Sequence, residues 1–209
     1  MTTLVAALEK FNRKERYWLL RNCVGNLKLD KCFIARLGKE LNLRIPAGAW
    51  WAIDYHFDWL VGAIWCRSGS NGTTMENEKS LVIRNQQDID FIIAFEDTMI
   101  PIEAKASTGW SNDQLKLKLG RLEAIRVFIE KLELKNITAR LLLVSPRETR
   151  RQIPDDYPKL PTFLIGSGKK IPWLPLGLAS SNFLKVTRCT EEEETNSKGD
   201  FWKLEPLSI

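Results

Sequence analysis

Two strongly apolar runs, residues 89–95 and 99–106, stand only three residues apart, with Glu96, Asp97 and Thr98 between them. Both are rich in isoleucine, phenylalanine and alanine and too short for a helix pair, which makes them strands. Parallel strands need a crossover of a dozen residues or more, so a connection this short forces an antiparallel hairpin. Side chains alternate along a strand. Glu103 and Lys105 therefore project from one face, and Ile102, Ala104 and Ala106 from the other. With the turn centred on Asp97 and Thr98, Asp90 falls opposite Lys105 and Ile92 opposite Glu103, so Asp90, Glu103 and Lys105 converge. A one-residue slip would send Asp90 to the far face, which makes the register decisive.

Two carboxylates held together within apolar strands repel unless something compensates. A divalent cation does so: magnesium takes one or two carboxylates and keeps its other positions for water and phosphate oxygens. Lys105 beside them can stabilise negative charge on an attacking water or on phosphoryl oxygens. These are the parts that hydrolysis of a phosphodiester needs.

The remaining chain supplies a setting. Leu4, Leu8, Phe11 and Trp18 share a helical stripe, and Asp30 can cap a second helix carrying Phe33, Leu37 and Leu41. Pro46 opens a third over 46–66, burying Ile53, Phe57, Leu60 and Ile64. Residues 67–79 form a loop and 81–84 a short strand. After the hairpin, the run from Ser111 to Gln114 has the form of a capping box, followed by a helix to about 134 with Leu115, Leu119, Leu122 and Ile129 inward and Lys116 and Lys118 outward. Residues 137–144 read as an interior strand, parallel to a partner across that helix. Five prolines leave only short strands at 162–165, 183–187 and 201–204 in the last third, with a mobile acidic loop at 191–200.

An Asp, then Glu-x-Lys across a hairpin, then a helix resembles the signature of the PD-(D/E)XK nuclease superfamily, here Asp90, then Glu103, Ala104 and Lys105, then the helix from Ser111. The resemblance spans about 81–144 and departs from the pattern in having Ile89 before the aspartate and Pro101 in the second strand. It implies an α/β, restriction-endonuclease-like mixed sheet flanked by helices. A helical segment (1–46), a nuclease core (47–145) and a strand- and loop-rich extension (146–209) would pack as one unit. Asp90, Glu103 and the Ala104 carbonyl would hold magnesium or manganese, while Lys105 assists the water. Asp88, Asp58 or Asp54, and Gln114 are auxiliary candidates. The implied activity is divalent-metal-dependent endonucleolytic cleavage of DNA, and the dimers common among such nucleases make a homodimer compatible with it.

Composition trims the rivals. His56 is the one histidine, which removes the HExxH zinc hydrolases; neither a GxSxG elbow nor a GxxxxGK[ST] loop is present. Four cysteines without a CxxC spacing point to a reduced, cytoplasmic setting, residues 1–11 do not read as a secretory signal, and Asp54, His56 and Asp58 interrupt the longest apolar stretch, which argues against a membrane span. Thirty-one Lys and Arg against 26 Asp and Glu mildly favour a polyanionic partner. Lys116, Lys118 and Arg121 could track a nucleic-acid backbone, although basic residues on a helix are commonly just solvated. Arg147, Arg150 and Arg151 share that ambiguity, and of eight tryptophans only Trp110 is placed for base stacking. The alternative function is a module that keeps the scaffold and binds nucleic acid or protein without turnover.

Overall fold

A computed structural model describes residues 2–69, 74–77, 81, 88–106, 110, 113–147, 162–165, 170–178 and 182–207, without the side chains of 113, 114, 162 and 163. In chain order the elements are α1 (Leu4–Phe11), α2 (Glu15–Val24), α3 (Lys31–Leu41), β1 (Trp50–His56), α4 (Phe57–Arg67), β2 (Asp88–Phe95), β3 (Thr98–Ala104) and α5 (Asp113–Lys131). They are followed by β4 (Thr138–Ala139), β5 (Leu142–Ser145), α6 (Thr162–Ile165), β6 (Trp173–Pro175), β7 (Phe183–Cys189) and β8 (Phe201–Leu207). One mixed sheet runs β1-β2-β3-β5-β6, with β4 also on β3, and β7 and β8 form a separate hairpin. β1, β2 and β3 are antiparallel, whereas β4 and β5 run parallel to β3 and β6 parallel to β5. The strand–helix–strand crossover through α5 is thus the one the sequence implies.

Helices cover both faces of this sheet. Ile92, Ala94, Met99 and Leu143 pack with residues of α1, α4 and α5. Ile93, Ile100, Ile102 and Leu142 pack with Leu37 and Leu41 of α3. Because both faces are buried, the central strands read as continuous apolar runs rather than alternating ones. Asp30 caps α3 as expected, its Oδ1 accepting the Phe33 N–H at 2.8 Å.

The hairpin turns one residue earlier than its sequence suggests. Phe95 pairs with Thr98, leaving Glu96 and Asp97 as the two-residue turn, with Glu96 at φ 50°. Arg67 fixes it there, its Nε and Nη2 reaching the two Asp97 carboxylate oxygens at 3.1 and 3.2 Å. The pairing therefore shifts by two residues: Ile92 faces Pro101, not Glu103, and Asp90 comes level with Glu103, not Lys105. A shift of two preserves the face of every side chain.

Other expectations fail for identifiable reasons. The 46–66 helix is instead β1 followed by α4. β1 is apolar on both sides, so its alternation is hidden, and Asp54 at φ 48° breaks the strand's regularity. The first helix divides at 12–14, and Trp18 lies exposed on α2. The strand at 137–144 is interrupted at 140–141. Met99 O accepts the Arg140 N–H and Lys105 N–H donates to Val144 O, so the odd residues of β3 face β4 and β5. Pro101 lies between them without an N–H, and the partner strand breaks opposite it. Residues 162–165 are one helical turn, and the acidic loop after β7 is folded back by Thr190 N–H to Glu194 O and Asn196 N–H to Arg188 O, both 2.9 Å. Residues 82–84 of the expected strand at 81–84 and the cap at Ser111 lie outside the described residues.

Two helix glycines give opposite predictions. A Cβ on Gly38 would stand 2.6 Å from the Leu43 backbone oxygen, whereas one on Gly120 would meet nothing within 4 Å. Urea unfolding should show Gly38→Ala less stable by about 1–3 kcal/mol from overpacking. Gly120→Ala should be more stable by about 0.5–1 kcal/mol from helix propensity.

Candidate active site

Asp90 and Glu103 come together at the end of the hairpin away from the turn, on the sheet face that α5 covers. Asp90 Oδ2 accepts the Ala104 N–H at 2.7 Å, which ties the two strands where ladder pairing stops. The even residues of β3 direct their main-chain groups toward β2, so the Ala104 carbonyl lies on the Asp90 edge as well. Glu103 is only 4 % exposed. Burial, then the Asp90 carboxylate beside it, pushes its pKa up to about 8 against the pull of Lys118.

The ammonium in contact with both acids is that of Lys118. From the second turn of α5 its Nζ bonds Glu103 Oε2 and lies 3.7 Å from Asp90 Oδ1. Its side chain is 15 % exposed, so the outward orientation expected for it is wrong. Leu115, Leu119, Leu122 and Ile129 are buried as expected, and Lys116 is exposed. Lys118 points inward one turn from Leu122 because buried Glu103, with the half-exposed Asp90 carboxylate beside it, draws a cation more strongly than solvent does. Lys105 is partly buried and its N–H extends the β3–β5 ladder to Val144.

The auxiliary candidates go elsewhere. Asp88 Oδ2 accepts from Lys14 Nζ at 2.8 Å, and its Oδ1 lies 3.3 Å from His56 Nδ1 without hydrogen-bond alignment. Asp58 is exposed on the first turn of α4, with Oδ1 4.0 Å from the same nitrogen. Asp54 stands level with Asp90, between the Ile53–Phe91 and Tyr55–Ile89 pairs, but is held by Arg16 Nη1 at 3.0 Å. Gln114 lies in the first turn of α5, and its side chain lies outside the described residues. Arg121 lays its guanidinium over the Phe57 ring, 5.8 Å from the centroid, rather than facing outward as a phosphate contact. Trp110 is buried, donating to Ser145 Oγ at 3.2 Å, and offers no stacking surface. Among the described residues no group of three or more His, Cys, Asp and Glu is arranged to hold a metal.

Lys14 is the residue that sequence reasoning passed over. It is buried at the break between α1 and α2, with Nζ 3.4 Å from His56 Nε2 besides its bond to Asp88. A signal existed, because Lys14 follows Phe11 at the next three-residue step of the Leu4–Leu8–Phe11 stripe, where a solvated lysine has no place. Lys14 from the α1–α2 break, Arg16 from α2 and Lys118 from α5 thus bring three cations to four acids at the edge of three strands. The chain matches no protein-family model, no curated protein and no solved structure.

The raised Glu103 pKa has a definite sign in stability. The folded state holds the Glu103 proton more tightly than the unfolded chain does, so stability is fully present below about pH 4.5 and is lost as pH rises toward about 8. Urea unfolding across that window should show the wild type losing stability relative to Glu103→Gln. Parallel profiles would mean that Glu103 is ionised throughout.

Proposed function

We propose that this chain is a divalent-metal-dependent phosphodiesterase acting on nucleic acid, with DNA as the substrate and internal bonds as the point of cleavage. The observation that carries the reading is the pair formed by Asp90 and buried Glu103, both in contact with a single ammonium. A carboxylate desolvated to this degree beside another acid is a costly arrangement for a fold, and costly charge is more often kept for chemistry than for stability. Together with the order of Asp90, hairpin, Glu103, Ala104, Lys105 and helix, it supports membership of the PD-(D/E)XK nucleases. Among the described residues no helix is long and apolar enough to cross a membrane.

Asp90, Glu103 and the Ala104 carbonyl would hold magnesium or manganese. Two carboxylates suit magnesium, which asks no more of a protein in a phosphate site, and a third acid is not required. When bound, the ion supplies Lewis acidity toward the phosphate and lowers the pKa of a coordinated water. The protein's own groups do the rest. Asp90, anchored by the Ala104 N–H, keeps the strand ends in register. Glu103, buried and accepting from Lys118, presents a fixed oxygen rather than a solvated one. Lys118 balances the two acids, and its ammonium would lie within reach of a phosphate held beside them, the role first assigned to Lys105. Both lysines are therefore assigned to transition-state charge.

Incubation with linear, circular, branched and single-stranded DNA, with and without magnesium or manganese, tests the proposal. The wild type should cut only with the ion. Asp90→Asn, which keeps an acceptor for the Ala104 N–H, should lose at least 100-fold in rate and yet melt higher in metal-free buffer, because removing one charge relieves repulsion. Lys118→Ala should lose turnover while still binding DNA. Binding without cleavage by the wild type under every condition would favour a non-catalytic nucleic-acid module.

A further inference from the structure

Twelve large apolar side chains are exposed among the described residues, and all but Leu117 and Val127 of α5 fall in two places. The first is α2 and the residues just beyond it. This helix buries only Tyr17 and leaves Trp18, Leu19 and Val24 in solvent, followed by Leu27. The second is the β7–β8 hairpin. Directly paired residues share a face of an antiparallel ladder, which puts Leu184 with Pro206, Val186 with Leu204 and Arg188 with Trp202 on one side. That side is uncovered: Trp202 is 69 % exposed and Leu204 68 %. The other side carries the ionic contacts of Lys185 with Glu205 and of Lys203 with Glu193 and Glu205.

An isolated two-stranded hairpin is marginal in water, and a monomer seldom leaves apolar patches of this size bare. Their charged surroundings are opposite in sign. Around α2, with Lys14 and Arg16 already engaged by Asp88 and Asp54, Lys10, Arg13, Arg21 and Lys28 stand against one acid, Glu15, while residues 183–207 hold four Lys and Arg against six Asp and Glu. Glu191, Glu192 and Glu194 at the hairpin's tip are all exposed. A nucleic acid would be repelled by that tip, as would another hairpin. The basic rim of α2 attracts it.

We propose that the chain forms a two-fold dimer in which the β7–β8 face of each copy covers α2 of the other. Two-fold symmetry makes the exchange reciprocal, so each copy contributes both patches and the contact closes on itself. At roughly 100 Å² for each half-exposed large side chain, the three of α2 with Leu27 beyond it and the four of the hairpin face offer about 800 Å² per copy, the scale of a standard interface. Interlocked charge at the rim fixes which patch meets which. The proposal is independent of the catalytic reading.

Sedimentation of the full chain at micromolar concentration reads the outcome. The wild type should run as a dimer that weakens as salt rises, and Leu204→Glu and Leu19→Glu should each run as monomers with unchanged circular dichroism. Leu204→Ser and Leu19→Ser replace them if a glutamate disturbs the fold. An equimolar mixture of the two variants should associate again, because an intact hairpin from one meets an intact α2 from the other. A monomeric wild type, a dimer that survives Leu19→Glu, or a mixture no more associated than its components overturns the proposal.

Discussion

Everything about this site depends on an acid kept out of water. Glu103 sits on a strand whose neighbours on both sides are apolar, under a helix whose leucines seal the face. Such a carboxylate must be protonated, paired with a cation, or bound to metal. The fold shows the first two, a pKa pushed up to about 8 and the Lys118 ammonium, and the second acid at Asp90 is what the proposed cation site adds. The three compete for the same oxygens. In the proposed function, proton, lysine and divalent ion would be alternative states of one centre, with pH and metal concentration deciding among them.

The strand geometry makes that competition local. Pro101 removes a donor from the middle of β3, and the partner strand breaks beside it, so the ladder resumes only from Ile102 with β5. The site therefore lies at the end of β3 that is braced by β5, rather than on the interrupted stretch. On the other side, Asp90 exchanges a ladder bond for a side-chain bond to the Ala104 N–H. An acid serving as the last rung of a sheet holds its position at small entropic cost, which is the preorganisation a metal ligand needs.

What could be read from the sequence follows from how local each cause is. The hairpin, the shared face of Asp90 and Glu103, the Asp30 cap and the parallel strand after α5 all come from patterns within a few residues of one another. The face assignment survived a wrong turn position because the error was two residues and the strand period is two. What failed was long-range. No periodicity tells that Lys118 turns inward, since the pull comes from acids 15 and 28 positions earlier in the chain. β1 was hidden because apolar residues on both its sides look like a helix when read alone, and only pairing with β2 separates the two. Asp54, Asp58 and Asp88 read as candidates from position, but Arg16 and Lys14, brought across from the α1–α2 break, claim two of them.

The proposed centre is a single divalent-cation site formed by Asp90 and Glu103, for which Lys118 competes. Titration with manganese followed by electron paramagnetic resonance counts bound ions directly, without substrate or turnover. One ion per chain should bind to the wild type and none to Asp90→Asn/Glu103→Gln, and Lys118→Met should bind it at least as tightly as the wild type. Equal manganese binding by the wild type and the double variant would contradict the account.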